Sequence, residues 1–107
     1  MNGPEKLFQD KVRTIAVMNG WMCFHPSPSQ VRPGVWRTDG NGFPDLTLAH
    51  PDRGLIFAEL KLDINSSKVS HEQQRWLSSI APHAECFVWR PNDLDAIAER
   101  LGRKAKC

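Results

Sequence analysis

The run GLIFAEL, residues 54–60, is apolar on both sides of an extended chain except at Glu59, and no other stretch constrains the fold as strongly. Side chains alternate across a strand, so a segment with Leu55 and Phe57 on one side and Ile56, Ala58 and Leu60 on the other has no face to give to water. It belongs in the middle of a sheet, covered above and below. Just upstream, DLTL reads as a second strand, and the connection AHPDRG contains Pro-Asp-Arg-Gly, which is good turn chemistry. The two runs form a hairpin. If it is symmetric about Asp52, Asp45 lies directly opposite Glu59, on the same face, with Cβ atoms about 4.5–5.5 Å apart. Lys61, two residues beyond Glu59, shares that face.

Two acids and an amine on a central strand need compensation, because an unpaired buried charge is costly. An ion pair between Glu59 and Lys61 leaves Asp45 uncompensated and the two acids repelling each other, whereas a divalent cation between them relieves both problems. Mg²⁺ accepts a site with few carboxylates, keeps several waters and completes its shell with phosphate oxygens. The arrangement therefore points to phosphodiester chemistry. The alternative is that Asp45 ends a turn begun by GNGFP, with Glu59 and Lys61 on a solvated sheet face.

The rest of the chain supplies the partners for this hairpin. Pro4 suits a first helical position, Glu5 the positive end of the helix, and Phe8, Val12, Ile15 and Ala16 recur at helical spacing until Asn19-Gly20, which predicts a helix over Pro4 to Met18. WMCFH, Trp21 to His25, reads as a first strand. Pro26 to Gly42 holds three prolines and three glycines without a sustained period, which predicts a long loop over residues 26–43. Ser70, with Gln73 three residues on, is a capping box opening a helix whose apolar face is Trp76, Leu77 and Ile80. ECFVW, Glu85 to Trp89, is a fourth strand, and PND introduces a last helix with Leu94, Ile97, Ala98 and Leu101 inward, stopped by Gly102. The order α-β-β-β-α-β-α predicts an α/β fold, with a three-stranded meander, a helical crossover and a fourth strand parallel to the third.

At 107 residues the chain has room for one domain, with a basic tail over 102–107. Fourteen basic against twelve acidic residues give a net charge of +2, which permits a polyanionic partner without demanding one. Cys23, Cys86 and Cys107 are odd in number and form no C-x-x-C pair, so neither a disulfide framework nor a zinc ribbon is expected; Cys23-x-His25 is at most half of a zinc site. No apolar run approaches a bilayer span and the N-terminus is polar, so the expectation is a cytoplasmic protein with no membrane partner and no small-molecule cofactor.

Pro44-Asp45, thirteen intervening residues and Glu59-Leu60-Lys61 match the PD-(D/E)xK pattern of the restriction-endonuclease-like nucleases. The pattern is short, but its flanks make it more specific: PEKLFQDKV, GWMCFH, GFPDLTL, LIFAELK, SHEQQRWL and CFVWRPNDLDAI together resemble the VRR-NUC branch, particularly its small stand-alone phage and bacterial members, across almost the whole chain. The resemblance implies an αβββαβ core with a mixed four-stranded sheet flanked by helices, here followed by an extra C-terminal helix. It also implies a divalent-metal-dependent nuclease, and kinship with Holliday-junction resolvases that act as homodimers on branched DNA. It makes Asp45 and Glu59 metal-binding carboxylates, the Leu60 carbonyl a further ligand of Mg²⁺ or Mn²⁺, and Lys61 the catalytic lysine. Glu5 matches an acid of the first helix, Gln73 a glutamine after the ExK strand, and His25 a histidine after the first strand.

Each of the last three has a plainer reading: Glu5 serves the helix dipole, Gln73 the capping box, and His25 a structural hydrogen bond. Arg32 and Arg37, with Trp36 between them, together with Lys68, Arg103, Lys104 and Lys106, are candidate phosphate contacts, and His25 is a further candidate nucleic-acid contact. Lys61, beside two carboxylates, is favoured as a charged group that orients the nucleophile rather than as a general base. Two rival expectations are a nucleic-acid-binding module of the same fold that does not cut, and a structural or inhibitor-like protein that binds neither metal nor DNA.

Overall fold

A computed structural model describes residues 3–26, 29–32, 35–37, 42–62 and 68–103. Helix α1 (Gly3–Met18) turns one side inward through Phe8, Val12 and Ala16, spaced four apart, with Gln9 buried beside them. It ends in a Schellman arrangement: Gly20, at φ +84°, donates its N–H to the Val17 carbonyl at 3.0 Å, and Trp21 donates to the Ala16 carbonyl at 3.0 Å. The Asn19-Gly20 stop and the helix read from the sequence are both present.

The main sheet holds β1 (Met22–Phe24), β4 (Leu46–His50), β5 (Gly54–Leu60) and β6 (Glu85–Trp89) in the order β1-β4-β5-β6. The first three are antiparallel neighbours and β6 runs parallel to β5. Leu46 pairs with Ala58 and His50 with Gly54, the register of a hairpin centred on Asp52. β5 is central, as its two apolar faces require. One face of the sheet, Leu46, Leu48, Ile56, Ala58 and Trp89, joins Phe8, Val12, Ala16, Trp21, Ile97 and Leu101 in a single buried cluster. The fold is thus α/β, with the αβββαβ order and a C-terminal helix added.

The stretch expected to be a long loop is different. It contains β2 (Ser29–Arg32) and β3 (Val35–Arg37), an antiparallel ribbon forming a separate two-stranded sheet, with a register shift between Gln30 and Arg32. Val31 and the Val35-Trp36 pair favour extended chain, and Pro33-Gly34 between them is a turn signal. The prolines and glycines obscured two strands too short to show a period.

Helix α2 (His71–Ile80) lies on the other side of the sheet from the main cluster. Its Trp76 ring meets Phe43 edge-on at 4.9 Å between centroids, and Phe43 meets Phe57 of β5 at 5.9 Å. The capping box is complete: Ser70 Oγ accepts from the Gln73 N–H at 3.2 Å, and Gln73 Oε1 accepts from the Ser70 N–H at 2.8 Å. A short 3₁₀ turn, Pro91–Asp93, leads into α3 (Leu94–Leu101).

Behind α3 the structure is locked by Arg100, 5% exposed. Its Nε and Nη2 donate to the two oxygens of Glu85 at 2.7 and 2.8 Å, Nη2 also donates to the Arg53 carbonyl at 2.7 Å, and the guanidinium sits over the Trp21 ring at 5.6 Å. Arg100 holds the Glu85 carboxyl below its ordinary pKa range. Trp21 Nε1 donates in turn to the Leu101 carbonyl at 2.8 Å. One side chain thereby ties α3 to the β4–β5 turn and to the start of β6.

Arg100→Ala is expected to lower stability by roughly 2–3 kcal/mol, because it leaves the Arg53 carbonyl without its charged donor; urea unfolding measures it, and Arg100→Lys, which cannot fork, recovers little. Gly42 has φ +86°, and a Cβ there would stand 2.7 Å from the Glu72 backbone carbon and Cβ. Gly42→Ala is accordingly expected to cost about 1–3 kcal/mol, read by the same method.

Candidate functional site

The β4–β5 pairing brings the acids together. Asp45 stands in a bend immediately before β4, held from below by buried Pro44, and continuation of the ladder places it across from Glu59. Its Oδ2 accepts the Leu60 N–H at 2.9 Å, so the carboxylate closes the open end of the hairpin where a further backbone bond would be. N–H and C=O of one strand residue leave the backbone along the same edge, which directs the Leu60 carbonyl to Asp45's side of β5. The next residue turns the other way: the Lys61 N–H donates to the Trp89 carbonyl of β6 at 2.9 Å.

Glu59 is 2% exposed. Burial first, then a hydrogen bond with Asp45 and the charge of that carboxylate, push its carboxyl well above the usual range, to about 9, against the opposing pull of Lys61. Without a metal the Glu59 carboxyl therefore keeps its proton at neutral pH. Glu59 Oε2 is buried and has no hydrogen-bond partner among the described residues. A buried acceptor left unpaired is costly. An orphan oxygen on a carboxyl that interacts with a second one, with a backbone carbonyl of the next residue turned toward that second acid, fits a hard divalent cation that takes few protein ligands. Among the described residues no three or more His, Cys, Asp or Glu side chains gather into a metal-binding group, and a two-carboxylate set suits Mg²⁺ or Mn²⁺ better than zinc.

His25, half-buried just past β1, forms a hydrogen bond between Nδ1 and the Asp45 carbonyl at 2.8 Å. Gln73 has its Oε1 in the capping box, and the N-terminal turn of α2 abuts Gly42 at the head of the segment leading into Asp45. Glu5 is exposed in the first turn of α1, and the charges that act on Glu59 are those of Asp45 and Lys61. Lys68 is exposed ahead of α2, and Arg103 is exposed after α3. The side chains of Arg32, Trp36 and Arg37, and the tail residues Lys104 and Lys106, lie outside the described part of the molecule. Cys23 is a half-buried thiol whose pKa is raised by burial.

Two features of the site escaped the sequence reading. The Phe43, Phe57 and Trp76 rings fix the segment that carries Asp45; the signal was an aromatic immediately before Pro44-Asp45. The bond from Asp45 to the Leu60 N–H has no signal in the sequence beyond the hairpin symmetry itself.

The folded chain keeps the Glu59 proton where the unfolded chain has released it, so this carboxyl's contribution to stability is full below about pH 4.5, declines as pH rises and is lost through about pH 9. Glu59→Gln, neutral at every pH, is expected to flatten that decline. Urea midpoints measured without metal between about pH 5 and pH 9 check this, and an unchanged slope would remove the retained Glu59 proton from the picture. Comparison of the chain with protein-family models, with curated proteins and with solved structures gives no match.

Proposed function

We propose that this protein is a divalent-cation-dependent endonuclease that hydrolyses DNA phosphodiester bonds, a small nuclease of the VRR-NUC kind within the PD-(D/E)xK group. The observation that carries this reading is the buried Glu59 carboxyl, one oxygen of which has no partner among the described residues, set across a strand pair from Asp45, with Lys61 close enough to act on Glu59 electrostatically. A structural protein has no use for such a pair, since it weakens the sheet it sits in.

Asp45, Glu59 and the Leu60 carbonyl are the residues that would hold Mg²⁺ or Mn²⁺. Such an ion, when bound, supplies positive charge to the scissile phosphate and acidifies a water. Asp45 enters this role already oriented by the Leu60 N–H, and Glu59 enters it by releasing its proton. Lys61, one residue past the end of β5, keeps its ammonium on the same face, where it orients the nucleophile and offsets negative charge developing on the phosphate oxygens. Gln73 and Glu5 are kept as secondary members, Gln73 through its position at the α2 N-terminus beside the Asp45 segment.

Branched DNA such as a four-way junction is the proposed substrate, and a homodimer the proposed assembly, because symmetric cutting of two strands needs two sites related by a twofold axis. The exposed Met22 and Phe24 on edge strand β1, 75% and 61% accessible, provide apolar surface next to the site for contact with a second copy. Arg32, Arg37 and Lys68 are proposed phosphate contacts.

The decisive measurement is a cleavage panel of branched and linear DNAs with Mg²⁺ or Mn²⁺, blocked by EDTA. Lys61→Ala is expected to cut at least about a hundredfold more slowly while retaining DNA in a gel-shift assay. Asp45→Ala and Glu59→Ala are expected to lose metal dependence together with activity. Wild-type cleavage rates from Lys61→Ala would overturn the scheme, and DNA retention without cutting by the wild type would make the chain a binding module.

A further inference from the structure

Asp45 does its proposed work from an awkward place. It precedes β4 rather than lying in it, one residue beyond the paired stretch of its own strand. On the β1 side, the register that pairs Met22 with Ala49 and Phe24 with Thr47 continues to Pro26 opposite Asp45. A proline has no N–H to offer, so the Asp45 carbonyl finds no backbone donor there. The imidazole of His25, the preceding residue, reaches that carbonyl instead, at 2.8 Å from Nδ1. A carbonyl only accepts, so Nδ1 carries the hydrogen.

We propose that His25 is a positioning residue: through its Nδ1–H it anchors the Asp45 carbonyl and so sets where the Asp45 carboxylate presents itself to a divalent cation. The proposal rests on the nuclease reading and deepens it by adding a member that need not touch metal or DNA. Two bonds hold Asp45 from opposite ends, His25 to its carbonyl and the Leu60 N–H to its carboxylate. Without the first, the backbone of a bend residue can rotate and carry the carboxylate with it. Ligand sites tolerate displacements of only about 0.5 Å, and loss of an outer partner typically weakens metal affinity about 10- to 100-fold. The His-Pro dipeptide is thus one device, in which the proline withholds the ladder donor and the histidine supplies a side-chain donor in its place.

The test uses the full-length protein with Mn²⁺ alone as probe, its affinity measured by titration calorimetry for the wild type, His25→Ala and His25→Asn, alongside thermal midpoints. Asparagine places an amide N–H near the position of Nδ1. His25→Ala is expected to bind Mn²⁺ about 10- to 100-fold more weakly with its thermal midpoint little changed, and His25→Asn to recover most of the loss, a rescue that a purely space-filling histidine would not give. Long-range ¹⁵N spectra of the wild-type imidazole are expected to show Nδ1 protonated. His25→Ala binding Mn²⁺ as tightly as a wild type that does bind it would sink the positioning role alone, as would an Nδ1 without its hydrogen. A wild type that takes up no Mn²⁺ would remove the nuclease reading, and this proposal with it.

Discussion

Everything at the site follows from the register between β4 and β5. A strand that is apolar on both sides admits one alignment with its neighbour, because a slip of a single residue would carry Ile56 and Ala58 away from the main cluster and drive Glu59 into it. The alignment adopted sends Glu59 to the side that carries α2, and brings it level with Asp45. The sheet pays for this with a buried acceptor that no described residue satisfies. Such a feature persists where the surrounding structure over-determines it, and it is the physical basis for reading a function into the hairpin.

Two sets of contacts keep that register from relaxing. At the closed end of the hairpin, Arg100 joins the turn carbonyl of Arg53 to Glu85 and stacks over Trp21, so β5 and β6 cannot slide without breaking charged hydrogen bonds. At the open end, the Phe57, Phe43 and Trp76 rings and the close approach of Gly42 to Glu72 seat α2 against the Asp45 segment. The turn is thus braced by electrostatics and the site by aromatic packing. A guanidinium beside Asp45 and Glu59 would compete for the same oxygens with the cation proposed to bind there.

Local readings succeeded where a short-range rule governs. The stop at Asn19-Gly20, the Ser70 capping box with Gln73, and the order of helices and core strands depend on neighbours three or four residues away or on simple alternation, and all are present. The ribbon of β2 and β3 was missed because each strand is only three or four residues long and the intervening Pro33-Gly34 reads as loop. Arg100 was missed for another reason: a basic residue in the last turn of a helix is the ordinary complement of the helix dipole, and only packing reveals that this one is buried.

The sequence alone determined that residues 54–60 are central and that the Pro-Asp-Arg-Gly connection folds the chain back symmetrically, which together put Asp45 and Glu59 on one face; alternation and turn chemistry are local properties and need no knowledge of what lies above or below the sheet. Tertiary structure decided the rest. That burial pushes the Glu59 carboxyl up to about 9, that one of its oxygens has no partner among the described residues, and that His25 takes over the bond Pro26 cannot make all depend on which groups from distant parts of the chain come together at that point. Desolvation acts through space, and no spacing along the chain encodes it.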